Sequence, residues 1–243
     1  MGASADGLKV RGEIRSEGGR LGRFFRGPGP VMALTGLLLL LFINKAYHID
    51  DPVFLRIAEH IQSEPLHPYR LMYNIDGTPR PSWHITHHPP GNCYLLAGVS
   101  LLTGFREWAL HLAYLGIAVG CAYFMYELAR RFCAHPGLVV TAAVLSPAFL
   151  VSATNVMADV PMLFFWLLSV WLAVLFVETR RARWLWLAGA AAAASAMTKY
   201  FGISLVPLLL VYCWPAARGR RLHLSALLLP VAALTAWGLY AKG

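Results

Sequence analysis

An all-α membrane bundle of about seven transmembrane helices, with a large first extracytoplasmic loop, is the architecture the sequence predicts. Three observations predict it. Charged residues make up only 14% of the 243, against 58% hydrophobic, and the mean hydropathy is +0.54. A soluble domain carries about 25% charged residues, so a soluble enzyme with a large core is excluded. Apolar runs recur along the whole chain, at the length of roughly 20 residues that crosses a bilayer. The basic residues fall on alternate connections, the pattern that orients membrane helices.

The leader, residues 1–30, is rich in Gly and Arg and is expected to be a flexible basic cytoplasmic tail. The remainder, 31–243, is one membrane domain. Its first span is Val31–Tyr47, around "LTGLLLLLFI". The basic leader and apolar centre suggest a signal peptide, but "INKAYHIDD" offers no small-x-small cleavage site, so the run is taken as a retained anchor. The further spans are Glu107–Ala129, Gly137–Asn155, Val160–Val177, Trp184–Thr198, Phe201–Trp214 and Leu222–Tyr240. The fifth and sixth are short, so their edges are loosely set.

With the amino terminus inside, fourteen of the 21 Lys and Arg and five of the 12 Asp and Glu fall on the inner side. The whole net charge of +9 then lies on one face. Anionic lipid headgroups are the partner this implies, not nucleic acid. The chain is therefore expected in the cytoplasmic membrane, multi-pass. The four cysteines, Cys93, Cys121, Cys133 and Cys213, show no pairing pattern, so disulfides and structural zinc are not expected.

The outer connections are unequal. The first, residues 47–106, is about sixty residues long and polar. The others are turns near Ser152–Asp159 and Lys199–Tyr200. Within the first, Phe54, Leu55, Ile57, Ala58 and Ile61 recur at helical spacing, which predicts an interfacial amphipathic helix over Asp51–Ile61. Asp51 followed by Pro52 suits a helix start, with a capping carboxylate and proline in the first turn. A proline-marked stretch follows, then a short apolar helix over Cys93–Thr103, too short to span.

Candidate chemistry concentrates in these outer connections. Asp50 and Asp51 are adjacent carboxylates at a membrane edge. One reading is a helix cap with a solvated neighbour. The other is a division of labour, in which one carboxylate caps and its neighbour points into a cavity as a general base. A partly dry environment raises a carboxyl pKa and improves such a base. Asp159, before Pro161, is either a helix cap or a second acid facing the same cavity, able to orient an acceptor or help hold a metal with Asn155. Lys199 in "MTKYFG" is either a lysine snorkelling at a helix end or a cation for a phosphate, with Tyr200 adding a hydrogen bond. Outer-face lysines are scarce, being Lys45, Lys199 and Lys242. Arg56 and Arg70 are further phosphate candidates. His84, His87 and His88 have poor spacing for one metal, so no metal site is assigned. No cofactor is established; a divalent metal is left open.

The order of these features resembles a family. A basic tail, a first span, an acidic pair, an interfacial helix ending in "IAEHI", then "HHPPGNCYLLAGVSLLTG" is similar to the polyprenyl-phosphate-dependent C-type membrane glycosyltransferases, whose members include protein O-mannosyltransferases and lipid A aminoarabinose transferases. "SPAFLVSATNVMADVPMLFFWLLS" and "AAAASAMTKYFGISLVPLLL" continue the resemblance, which runs from about Leu34 to Tyr212. It implies sugar transfer from a polyprenyl-phosphate donor to a lipid, glycan or protein acceptor on the outer face. Asp50 takes the place of the proposed base, although the pair here is Asp-Asp where Asp-Glu is common, which leaves Asp51 open. His88-Pro89-Pro90 takes the place of a loop shaping the cavity entrance. The family is usually longer, so the chain is expected to be an amino-terminal half, incomplete at its C-terminus. A compact or partnered enzyme, and a non-catalytic polyprenyl-lipid binder or transporter-like bundle, are the alternatives. Polar residues gathered in the outer loops, rather than inside the spans, favour chemistry over transport.

Overall fold

The computed structural model describes residues 27–48, 50–74, 76–219 and 221–241. Most of the predicted leader lies outside the described residues, as does Lys242. Helices dominate. α1 is Gly29–Leu40 and α2 is Asp51–Ser63. A two-stranded antiparallel hairpin follows, β1 Met72–Asn74 with β2 Pro79–Pro81, pairing Tyr73 with Arg80. Then come α3 Trp83–Thr86, α4 Gly91–Thr103, α5 Glu107–Phe132, α6 Pro136–Val144 and α7 Pro147–Ala153. α8 Asp159–Thr179 and α9 Ala182–Thr198 follow. A 3-10 turn, Tyr200–Ser204, leads into α10 Leu205–Cys213, and another, Arg221–Leu228, leads into α11 Leu229–Tyr240.

The helical class matches the expectation; the seven-span count is met only in part. Among the described residues, three segments are long and apolar enough to cross a membrane: Glu107–Phe132, Asp159–Thr179 and Arg221–Tyr240. The expected third span is two helices, α6 and α7, bent by 61° at the break. Its cause is local. Pro147 cannot continue the hydrogen-bond ladder, and Ser146 starts a new helix by accepting the Phe149 N–H at 3.3 Å. α1 with 12 residues, α9 with 17 and the segment Tyr200–Cys213 are shorter than a full crossing. The hairpin was not anticipated.

α9 is the centre of the bundle. It packs along α8 more extensively than any other pair of elements. Ala188, Ala191, Ala192 and Ala196 are buried there, and Ser169 Oγ donates to the Ala188 carbonyl at 2.7 Å. Small residues let backbones approach. At Gly189 a Cβ would lie 2.1 Å from the Ala226 carbonyl oxygen. By contrast Leu37, Leu41, Leu112, Val211 and Leu239 point outward and are exposed, as a lipid-facing surface requires.

The two ends of the bundle differ. At one end Arg131 pairs with Glu178 at 3.0 Å and Arg180 donates to the Ala216 carbonyl. At the other, Lys45 reaches Asn155, Tyr47 donates to the Phe105 carbonyl, Asp159 meets Lys199, and His67 stacks on Tyr240. The connections assigned to the outer side thus gather at a single end.

Gly189→Ala tests the close approach. Helix propensity alone favours alanine by about 1 kcal/mol, whereas an unaccommodated Cβ costs about 1–3 kcal/mol. The expected outcome is a lower melting temperature for the purified protein in detergent. An unchanged or higher melting temperature would show that α9 and residue 226 are not in backbone contact.

Candidate active site

The acidic pair divides its work. α2 begins at Asp51 with Pro52 in its first turn, close to the predicted range. Asp51 is fully buried, but it does not cap α2. Its Oδ2 accepts the His48 N–H at 2.8 Å and its Oδ1 accepts the Val156 N–H at 3.2 Å, across 105 residues of sequence. Burial pushes its carboxyl above the ordinary value, opposed by these two hydrogen bonds and by the charges of His111 and Lys45. Asp50, one residue earlier, is exposed, makes no capping bond and lines a cavity.

The carbonyl of the same residue is also held. Asn92 Nδ2 donates to the Val156 carbonyl at 3.2 Å, and the buried Tyr114 hydroxyl donates to Asn92 Oδ1 at 2.5 Å. Both polar groups of Val156 are therefore satisfied by buried side chains, as a buried peptide requires. This fixes the connection between α7 and α8, and with it Asp159, the first residue of α8.

That cavity, of about 580 Å³, is lined by Asp50, Phe54, Tyr73, His88, Asp159 and Lys199, among others. Lys199 Nζ donates to Asp159 Oδ1 at 2.6 Å, and both side chains are about one-third exposed, 30% and 33%. Lys199 comes from the end of α9. His88 stands beside it because α4 approaches α9 closely: at Gly91 a Cβ would lie 2.6 Å from the Met197 carbonyl oxygen. The His88 ring stacks on Phe54, 6.3 Å between centroids, and its carbonyl accepts the Tyr69 hydroxyl at 2.5 Å. His87 ends α3 in the left-handed conformation, with φ 47°, so two neighbouring histidines leave the turn in different directions. Burial first, then the Lys199 charge, lowers the His88 pKa below its ordinary value, so this imidazole is neutral at neutral pH.

The structure thus brings together Asp50, His88, Asp159 and Lys199. It places others elsewhere. Tyr200 is exposed and is not among the cavity's lining residues. Arg56 pairs with Glu59 at 2.9 Å on an exposed face beside a separate, smaller depression. Asn155 is buried and accepts Lys45 Nζ at 2.5 Å instead of joining Asp159. Asp159 already holds an ammonium, and among the described residues no group of three His, Cys, Asp or Glu side chains is placed to hold a metal ion. This donor set suits an anion exchanging places with a carboxylate better than a divalent metal. Gly91, Asn92 and Tyr114 were not singled out from the sequence. "PPGN" carried a signal for the first two, a glycine where a helix start meets another backbone.

Residues 87–240, well over half of the chain, match the family model described as dolichyl-phosphate-mannose-protein mannosyltransferase. The matched segment holds His88, Asn92, Asp159, Lys199 and Tyr200 but not Asp50, Asp51 or Arg56. No curated protein and no solved structure matches the chain.

Two substitutions probe the site's construction. Asp51→Asn turns one acceptor into a donor facing an N–H, and is expected to destabilise the fold by about 1–3 kcal/mol, read as a lower melting temperature. Asp50→Asn should leave that temperature unchanged. Equal effects would mean that Asp51 does not clamp Val156. For His88 the sign follows from its lowered pKa. The unfolded chain takes up this proton first, so stability falls as pH drops below the unfolded value of about 6.5. The melting temperature of His88→Gln should therefore gain on that of the unsubstituted protein between pH 7 and pH 5. A constant difference across that range would place His88 in open solvent.

Proposed function

The chain belongs to the dolichyl-phosphate-mannose-protein mannosyltransferase family, a family of membrane glycosyltransferases, and on that premise we propose that it transfers a sugar from a polyprenyl-phosphate donor to an acceptor hydroxyl at the outer face of the membrane. The observation that carries the reading is the shared cavity of Asp50, His88, Asp159 and Lys199 at one end of an apolar bundle. The chain would be integral to the cytoplasmic membrane, crossing seven times with its amino terminus inside. The short helices would contribute crossings through their flanking turns.

In the proposed step, the Asp50 carboxylate takes the proton of the acceptor hydroxyl. The hydroxyl oxygen forms its bond to the anomeric carbon. The bond from that carbon to the phosphate oxygen breaks, and its electron pair leaves on polyprenyl phosphate. Negative charge therefore grows on the phosphate as the reaction proceeds. A positioned cation stabilises that charge more in the transition state than in the ground state. Lys199 is that cation, and Asp159 holds it in place until the phosphate arrives. Asp50 suits the base role because it is exposed to the cavity while its neighbour is consumed by the fold. His88, neutral and stacked on Phe54, serves as an uncharged wall beside the sugar.

The test uses membranes containing the protein and a labelled polyprenyl-phosphate mannose, with label counted in the protein and lipid fractions. Asp50→Asn should lower transfer by about 10²- to 10⁴-fold, the usual contribution of a general base, with protein level and melting temperature unchanged. Lys199→Met should also lower transfer. Intact transfer in Asp50→Asn would remove the base assignment, and no transfer by the unsubstituted protein would shift the reading toward a polyprenyl-lipid-binding protein.

A further inference from the structure

The end of the bundle away from the candidate site carries unmatched positive charge. Glu127 and Glu178 are its carboxylates among the described residues, and Arg130 and Arg131 pair with them at 2.7–3.3 Å. Arg181, Arg183, Arg218 and Arg221 are exposed and have no carboxylate partner among the described residues.

Two of these arginines share one groove. α9 and the segment Arg221–Tyr240 leave this end side by side and in the same direction. Arg180 donates to the Ala216 carbonyl where the connections meet, and Gly189 reaches the Ala226 backbone further up. Arg183 lies six residues before Gly189, about 9 Å down at the rise of an α-helix. Arg221 lies five residues before Ala226, about 10 Å down at the rise of a 3-10 turn. The two arginines therefore flank the same crease at the same depth.

Each of them lies on an indole. Arg183 is 4.5 Å from the centre of the Trp184 ring, and Arg221 is 5.0 Å from that of Trp214. Stacking fixes a guanidinium plane and leaves its N–H edge open, and that edge fits a phosphate through two parallel hydrogen bonds. Apolar surface rises from the same place. Leu187 stands one turn above Arg183 on the same face of α9, and Leu222 follows Arg221; both are exposed. Trp186 and Trp214 are exposed as well, and such amphipathic rings collect at the membrane interface.

This combination discriminates between anions. A soluble phosphate would use the arginines and leave the apolar wall bare. A nucleic acid would bring charged backbone against that wall. A phospholipid of net negative charge matches both parts, whereas a zwitterionic headgroup would add its own cation to four unpaired ones.

We propose that the groove flanked by Arg183 and Arg221 holds the phosphate of an anionic phospholipid, with its acyl chains lying against α9. Net charge orients the whole chain; this site adds a preference for one lipid class at one groove. It uses no residue of the Lys199 cavity, so it stands or falls independently of sugar transfer.

The test is native mass spectrometry of the purified full chain in detergent, titrated with palmitoyl-oleoyl phosphatidylglycerol and, separately, with the matching phosphatidylcholine. Phosphatidylglycerol should bind more tightly. Arg183→Gln and Arg221→Gln should each weaken its binding about five-fold, the effect of one arginine on an anionic headgroup. Both side chains are exposed, so the melting temperature should not change. Arg80→Gln removes the same charge at the opposite end and should leave lipid binding unchanged. Equal affinity for the two lipids would overturn the proposal. So would unchanged affinity in both Arg183→Gln and Arg221→Gln, or an equal loss in Arg80→Gln, which would make the preference one of net charge. Displacement of the lipid by millimolar pyrophosphate would also overturn it, assigning the groove to a soluble anion.

Discussion

The backbone of Val156 is the constraint on which the candidate site depends. Its N–H is held by Asp51 and its carbonyl by Asn92. At the edge of a bilayer, an irregular connection has little water to satisfy its backbone. Here two side chains from distant parts of the chain do so. Asp51 belongs to the first loop and Asn92 to the start of α4, and Tyr114 on α5 orients Asn92 in turn. The backbone of one residue therefore ties three helices to the turn before α8. Asp159 follows within three residues, so the position of a cavity carboxylate is set by bonds that never touch the cavity.

The same economy explains how adjacent aspartates acquire unlike surroundings. Successive residues at a helix start point in different directions, so burial of Asp51 leaves Asp50 free to face the cavity. A carboxylate buried against two N–H donors is out of an acceptor's reach, although burial raises its proton affinity. The exposed neighbour lines the cavity. The division arises from geometry at the first turn of α2, not from any difference in residue type.

Much of this was legible in sequence. Helical spacing of Phe54, Leu55, Ile57, Ala58 and Ile61 located α2, and the Asp-Pro pair located its start. The turns carrying Asp159 and Lys199 lie where the apolar runs stop. That these turns and the first loop share one end followed from the alternation of arginines. What escaped the sequence depends on contacts between distant residues. Ser146-Pro147 marks a break, but an apolar run from Gly137 to Asn155 hides it from a hydropathy reading. The hairpin at residues 72–81 has strands of three residues, too short for a period of two to register. Gly91 and Gly189 are small for reasons visible only when Met197 and Ala226 are beside them. Asp159 and Lys199 could each be proposed for a site, but their pairing joins residues 40 apart on helices whose packing no local pattern specifies.

That pair also indicates what the cavity is suited to. An ion pair between groups about one-third exposed contributes roughly 0–1 kcal/mol, too little to account for holding Asp159 in place with a network of buried hydrogen bonds. Because the pair is weak, exchanging the carboxylate for a phosphate costs little. Under the proposed reaction, Lys199 would swing toward an incoming anion while Asp159 remains fixed at the start of α8. A stronger, fully buried pair would resist the exchange, since separating it would leave a buried charge alone. Under the proposed reaction, a marginal pair at the cavity rim is thus the useful arrangement. It keeps the lysine aimed into the cavity when no substrate is bound and yields it when phosphate charge develops.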